Sequence, residues 1–513
     1  MNKPAELTVI HKTNDKLAYI DRATGNVGLG AKRLISAAWR ALLAFDLPGA
    51  QQLVAQLRTL VVTRPLQQRL ICQQADLIAA AIALLKDDIE NAMHLAGRVA
   101  EGEQTEEMAR VTSVLLRFGA WSRRNWEYFE AATCLCPCSL IDGRQALPTV
   151  LTLIIEAAAE MKRCHFISAH RLASDALRFA ARLKSGRAMA TTGAITVMAA
   201  ILYEQGEVDE ADKLLRRHLD LFSQSACADA AVTAYETLIR IAMNRCQWAV
   251  AATFQRDVIA LGNARSWSRL TALGYAAGTE GQCLMGAATQ AAVSATRLRR
   301  LWEEESISLL RTAIASRLRE SEIRLSLLAN PPAQLASDIE LHLHDLTECG
   351  EVQQTFGMAM LLVEALDKTG ASHIAQTVLL DYVRAGMQRG MFQTFVMTSP
   401  VVHENLSQIY NDVLGTLDDQ AQLRPFLASL IARTRKFLLA KAGSGELFTE
   451  AVITARERDI LLRMSQGYSN KKIAKDLGIG PETVKSHAKR IYFKLGVTSR
   501  IEAVTQAADL SLI

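Results

Sequence analysis

Three groups of residues have types and spacings that could do chemistry. The first is Gly25-Asn26-Val27-Gly28-Leu29-Gly30-Ala31-Lys32-Arg33, which contains the Gly-x4-Gly spacing of a phosphate-cradling loop. Such a loop must continue with Lys and then Ser or Thr, whose hydroxyl holds magnesium. Here Gly30 is followed by Ala-Lys-Arg, and Arg33-Leu34-Ile35 does not restore the hydroxyl. No apolar strand ending in Asp follows at a useful distance, so nucleotide hydrolysis is not expected. The second group is Cys134-Leu135-Cys136-Pro137-Cys138. Alternating thiols are not the pairing that zinc uses, and no second pair of ligands is evident. Two readings stay open: incidental or buried thiols, and a redox or soft-metal sensor. Cys164-His165 and His170 lie one repeat later with nothing to bring them in, and His342, His344 and His403 lack matching partners. There is no acid–base pair, activated nucleophile or receiver-like acidic pocket with a following Lys. No enzyme activity, cofactor, bound metal or control by a sensor kinase is expected.

The third group is basic. Lys485, Ser486, Lys489 and Arg490 fall largely on one face of a predicted helix, Pro481–Leu495. Val484, Ala488, Ile491 and Leu495 recur at intervals of four, three and four, which puts them on another face. The span carries four Lys/Arg against one Glu. An apolar back docks such a helix, and a basic front meets phosphates while a few side chains reach base edges in the major groove. His487 has two readings, a DNA contact or a group that closes the helix packing.

Three further helices must position this one. The first opens at Thr454-Ala455-Arg456-Glu457, where Thr at the cap and Glu three residues on form a capping box. Its apolar face is Ile460, Leu461 and Met464, and Gly467 ends it. The second opens at Ser469, a capping hydroxyl, buries Ile473, Ala474 and Leu477, and turns at Gly478, after which Ile479 plugs back into the core. Pro481 starts the third helix at a position where no amide donor is lost. The fourth begins at Ser499-Arg500-Ile501-Glu502, a second capping box, and offers Ile501, Val504 and Ala508 as a stripe.

Composition agrees with this picture. The chain has 513 residues, half of them apolar, with Ala and Leu dominant and aromatics scarce, which favours helices in two to four domains. The net charge is +5, and residues 447–513 hold 11 Lys/Arg against 7 Asp/Glu, so this short segment carries +4 and the other 446 residues only +1. A local basic surplus is the electrostatic footprint of nucleic-acid binding. The longest apolar run, Leu77 to Leu85, is far short of the roughly 20 residues of a membrane helix. The opening MNKPAELTVIHKTNDK has no apolar signal core, and nine scattered cysteines fit reduced thiols. A cytoplasmic location and no membrane partner are therefore expected.

The rest of the chain repeats. A helix ending near Tyr203–Gln205, a stop at Gly206 and a second helix packed through Ala211 make one unit. The small residue recurs at Ala50, Ala92, Ala131, Ala169, Ala211, Ala251, Ala291 and Ala375, at intervals of 42, 39, 38, 42, 40, 40 and 84. A degenerate unit near Asn330-Pro331-Pro332-Ala333 is expected to fill the last gap. Single helix pairs cannot bury their apolar faces, so stacking must build the core and leaves a concave groove. That groove has two readings, a pure spacer or a seat for a ligand or peptide. Ala442-Gly443-Ser444-Gly445 reads as a flexible hinge.

Two resemblances follow from these residues. The segment YEQGEVDEA, Tyr203–Ala211, resembles the tetratricopeptide repeat, and its 40-residue spacing is more like the helix-pair superhelix of MalT-type regulators. Gly390–Leu414 resembles the closing segment of that superhelix. The missing nucleotide loop means that the ATP switch of those regulators is not carried over. Thr454–Val504 resembles the LuxR-type helix-turn-helix along its length. That resemblance implies groove contacts from Lys485, Ser486 and Lys489, with Thr483, His487 and Arg490 beside them. It places Ser469, Asn470 and Lys471 at phosphates. It also implies that Ile501, Val504 and Ala508 pair two domains as a homodimer on a two-fold double-stranded operator. Arg490 stands where many members have Asn, which alters a backbone contact. Gly480 stands where many have Ser, which weakens a cap.

The expected fold is therefore all-α: residues 1–34 as an extension, 35–440 as a TPR-like helix-pair superhelix, 441–446 as a linker and 447–513 as a four-helix LuxR-type domain. The expected function is a bacterial transcription regulator whose repeat body takes a small-molecule or protein effector, with RNA polymerase as a partner if it activates. The alternative is a TPR-like interaction scaffold with a secondary DNA-binding role.

Overall fold

Ala- and Leu-rich segments punctuated every forty residues must form helices and must stack them, because no single pair can cover its apolar face. The computed structural model describes residues 28–61, 64–131, 147–183, 186–329, 331–413, 420–445, 455–495 and 499–509, and among these every regular element is helical. The pairs are α1 (Leu29–Leu43) with α2 (Leu47–Thr59), α3 (Pro65–Leu85) with α4 (Ile89–Ala100), and α5 (Glu106–Ser122) with α6 (Trp126–Ala131). Then come α7 (Leu147–Lys162) with α8 (Phe166–Ala180), and α9 (Arg187–Glu204) with α10 (Val208–Arg217), trailed by the short α11 (Leu219–Ser225). Helices α12 (Ala228–Asn244) and α13 (Trp248–Arg265), then α14 (Ser268–Leu284) and α15 (Ala288–Glu304), continue the pattern. The body closes with α16 (Ser308–Leu328), α17 (Leu335–Glu348), α18 (Val352–Lys368), α19 (Ser372–Arg389), α20 (Gln393–Val396), α21 (Pro400–Gln408), a π-helical turn at Ile409–Val413, and α22 (Gln420–Gly445).

One turn joins the partners of these pairs. The residue two before each second helix is left-handed: Phe45, Asp87, Arg124, Cys164, Gly206, Cys246, Gly286 and Gly370 all have positive φ. The next amide donates to a carbonyl five residues back, as in Glu207 N to Leu202 O at 2.8 Å and Asp88 N to Ala83 O at 2.9 Å. This is the Schellman closure, which satisfies the last carbonyls of the first helix. Five residues after each left-handed residue comes the crossing position. Ala50, Ala92, Ala169, Ala211, Ala251, Ala291 and Ala375 occupy it and are at most 2% exposed. The expected register fails once: in the α5–α6 pair the crossing residue is Phe129, which is buried, and Ala131 is exposed. The expected unit around Ala333 is also corrected. Ala333 is exposed in the connection from α16 to α17, Asn330 lies outside the described residues, and the turn next appears at Gly350, between α17 and α18.

First helices pack on first helices down the chain, from α1 on α3 through to α16 on α18. The stack winds back on itself. Trp267 Nε1 donates to Leu85 O at 3.1 Å, Trp126 Nε1 donates to Cys349 O at 2.8 Å, and Phe392 N donates to Glu204 O at 2.8 Å. Arg124 pairs with Glu351 at 3.1 Å, and Arg269 pairs with both Asp229, at 2.8 Å, and the buried Asp87. One core cluster accordingly joins residues of α7–α9 to residues of α16–α22.

Helices run across two of the expected boundaries. Helix α1 starts at Leu29, so it crosses the expected edge at 34/35 and buries Ala31 and Ile35. Gly28 caps α1 and Gly30 to Arg33 lie in its first turns, so that part of the Gly-x4-Gly segment is helix rather than loop; Gly25 to Val27 lie outside the described residues. Ala442-Gly443-Ser444-Gly445, expected as a hinge, forms the last turn of α22, because adding residues to an existing helix gains a hydrogen bond per residue fixed. Cys134, Cys136 and Cys138 lie outside the described residues. Helix α3 is long and apolar enough to cross a membrane by length and hydropathy, and 56% of that stretch is buried inside the fold.

Candidate nucleic-acid interface and the groove of the body

The C-terminal domain comprises α23 (Ala455–Ser465), α24 (Asn470–Leu477), α25 (Pro481–Leu495) and α26 (Arg500–Asp509). Ile460, Leu461 and Met464 meet Ile473 and Ala474, then Val484, Ala488 and Ile491, then Ala503 and Ala507, in one small core. Leu477, Ile479 and Val504 pack against it. Gly467 ends α23 with φ of 78°, and Gly478 ends α24 with φ of 64°, where Ile479 N donates to Ala474 O at 3.0 Å. Ser469 caps α24 by accepting from Lys472 N at 3.4 Å, and Ser499 caps α26 by accepting from Glu502 N at 3.2 Å. Thr454, the expected cap of α23, lies outside the described residues. Gly480 caps α25 through its carbonyl alone, which accepts from Val484 N at 3.1 Å.

With Val484, Ala488 and Ile491 buried, the opposite side of α25 faces outward. Thr483, Lys485, Ser486 and Lys489 are all exposed there. Glu482 accepts a hydrogen bond from Lys485 Nζ at 2.7 Å. The Arg490 side chain lies outside the described residues. His487 is half-buried and its Nδ1 is buried with no hydrogen-bond partner in the structure. Ser469 and Lys471 are exposed and Asn470 is half-buried at the start of α24. On α26, Ala503 and Ala507 face the core, while Ile501 is 80% exposed, Ala508 is exposed and Val504 is half-buried. Ile501 and Ala508 thus make an uncovered apolar edge on the described domain.

Sequence reasoning missed the residues that hold this frame. Arg500 reaches from α26 to Met464 O at 3.2 Å, to Tyr468 O, and to Asn470 Oδ1 at 3.5 Å. It therefore ties the turn between α23 and α24 to α26 and orients Asn470. Arg456 donates to Leu477 O at 2.5 Å, Arg463 pairs with Asp476, and the Lys472 ammonium sits 3.6 Å over the Tyr468 ring. Only the capping motif had pointed at Ser499-Arg500, and it says nothing of where the guanidinium goes.

In the body, a cavity of about 460 Å³ opens on the inner side of the stack, lined from α7 through to α22. Its carboxylates are Glu204, Glu236, Glu280, Glu320 and Glu364, and its cations are Lys162, Arg240, Arg317, Arg324 and Lys441. Most are matched: Arg317 to Glu236 at 3.2 Å, Arg324 to Glu280 at 3.0 Å and to Glu320 at 2.8 Å, and Glu364 to Lys368 at 2.7 Å. Burial works against the charge of Glu236, yet Arg317, Arg240 and Lys162 hold its carboxyl down at about 2. Burial likewise opposes the charge on Arg324, and Glu280 and Glu320 more than offset it and raise its pKa. Of the histidines, His342 lines this cavity and is 7% exposed, and its Nε2 has no hydrogen-bond partner. Burial, followed by Arg319, lowers its pKa, which favours the neutral ring. His403 instead meets Thr434 Oγ1 at 2.7 Å. Among the described residues no cluster of His, Cys, Asp or Glu has the arrangement of a metal site.

The family model for bacterial regulatory proteins of the luxR family, GerE, matches residues 451–507. The matched stretch covers α23, α24 and α25 and all but the last two residues of α26. It supports DNA binding and transcription regulation for this part of the chain.

Proposed function

We propose that this chain, whose residues 451–507 form a LuxR-family helix-turn-helix domain beside a body of stacked helix pairs, is a sequence-specific bacterial transcription regulator whose effector sits in the body. The observation that carries the reading is the two-sided α25, with Val484, Ala488 and Ile491 buried and Lys485, Ser486 and Lys489 outward. In this reading Lys485, Ser486 and Lys489 enter the major groove, and Thr483, His487 and Arg490 border them. Ser469, Asn470 and Lys471 meet phosphates at the start of α24. The apolar edge of Ile501 and Ala508, with the half-buried Val504 between them, pairs two copies on a two-fold operator. The protein works in the cytoplasm, without catalysis, and meets RNA polymerase if it activates. The cavity of the body favours a small-molecule or peptide effector over a pure spacer.

Replacing Lys485 or Lys489 with Ala should each weaken operator binding by about 1–3 kcal/mol if the side chain reads a base, and reduce the salt slope by about 1 if it meets a phosphate. Mobility shifts over a salt series measure both. Unchanged affinity and slope in the double variant would overturn the assignment. The competing scaffold reading predicts one abundant protein partner and no operator enriched in genome-wide occupancy.

A further inference from the structure

Glu204 and Arg240, both in the cavity of the body, are not matched as the carboxylates and guanidiniums beside them are. Glu204 is 2% exposed and accepts only from neutral donors, Gln353 Nε2 at 3.2 Å and Thr394 Oγ1 at 2.9 Å. Among the described residues no cation forms an ion pair or hydrogen bond with it, and Arg240 acts on it only through space. Arg240 approaches Glu236 only at 3.7 Å, and its guanidinium makes no hydrogen bond among the described residues. A buried carboxylate lacking a cation is costly, and a guanidinium with unused donors is built for a bidentate carboxylate. Two further buried polar atoms on the cavity wall, His342 Nε2 and Ser399 Oγ, also lack partners.

The rest of the lining narrows the ligand. Cations and carboxylates are equal in number, so neither a polyanion nor a polycation is favoured. Tyr203 is the sole aromatic among the described lining residues, so the wall lacks the stacking faces that suit a sugar ring. Leu346, Met358, Met360 and Leu361 form an apolar, adaptable stretch. The volume of about 460 Å³ falls within the usual range for small-molecule sites.

We infer that the cavity binds an apolar α-amino acid or short peptide as a zwitterion, its ammonium at Glu204 and its carboxylate at Arg240. The inference rests on the reading of the body as the effector site. The ammonium supplies the hydrogen-bonded cation that Glu204 lacks, the carboxylate takes the donors that Arg240 leaves unused, and the side chain lies on the methionine-rich wall. His342 and Ser399 offer further hydrogen bonds to the ligand's polar atoms.

The full-length protein, without DNA, is tested by thermal shift and calorimetry against the standard amino acids and a set of apolar dipeptides. At least one apolar member should raise the melting temperature, and whether it is a free amino acid or a dipeptide identifies the source. N-acetylation or C-amidation of that ligand should each weaken binding by about tenfold or more. Glu204→Gln, which keeps the shape of the side chain, should abolish the preference for a free ammonium. Arg240→Gln should abolish the preference for a free carboxylate. Binding indifferent to both caps, a response only to neutral saccharides or dicarboxylates, or no response at all would overturn the inference. Because no DNA is present, these results are independent of whether Lys485 and Lys489 read an operator.

Discussion

Glu236 and Arg500 are single side chains that fix the behaviour of the two halves. The carboxyl of Glu236 is held at about 2, below its ordinary 4.5, by cations that outweigh its burial. A depressed acid contributes stability above its unfolded value, and that contribution is lost as pH falls through the folded value. Acid unfolding of the body should therefore steepen between pH 4.5 and about 2. Glu236→Gln should flatten that limb while leaving the limb above it parallel, as followed by circular dichroism across a pH series. If the variant and the parent lose stability in parallel down to pH 2, Glu236 is not held as described. Arg500 shows the limit of reading residues alone. Its place after a cap was legible, whereas its hydrogen bonds to Met464 O and Tyr468 O depend on α23 and α26 lying side by side.

Among the elements, the informative unit is the helix-turn-helix pair. Glycines at 206, 286 and 370, each five residues before an alanine, made the turn legible in three pairs. The other pairs put Phe45, Asp87, Arg124, Cys164 and Cys246 in the same left-handed conformation. That conformation costs an L-residue about 1–2 kcal/mol, so no propensity rule anticipates it. Two of these side chains do work glycine could not: Asp87 pairs with Arg269, and Arg124 with Glu351. The register correction has a direct consequence. Ala251→Leu should cost about 1–3 kcal/mol by overpacking a crossing. Ala131→Leu, at an exposed site, should stay within about 0.5 kcal/mol. Urea denaturation of the two variants compares them, and equal losses would return Ala131 to the crossing position.

On the scale of the whole molecule, the stack closes on itself through contacts between residues far apart in sequence. Arg269 is the most consequential strut, since it serves both Asp87, which is 1% exposed, and Asp229. Burial raises the pKa of Asp87 even though Arg269 acts to lower it, so the cation is what keeps a charged form tolerable there. Arg269→Met leaves two carboxylates without their partner and should destabilise the body by about 3–5 kcal/mol. Differential scanning calorimetry should show the loss in the body's transition; a shift under about 1 kcal/mol would mean that the strut is dispensable. The same winding brings α9, α12, α14, α16, α18 and α22 around one cavity.

The sequence by itself determined the two-sided helix Pro481–Leu495, its four-helix setting and the forty-residue rhythm of the body. Those features are local: capping boxes, glycine stops and helical periodicity act within a few turns and need no distant partner. The tertiary structure alone decided that Phe129 takes the crossing position, that the Ala442–Gly445 stretch ends a helix, and that Arg269 reaches Asp87. It alone also decided that Glu204 and Arg240 line one cavity. Each of these depends on how successive pairs rotate and wind, and that geometry accumulates over the stack rather than being written in any one segment.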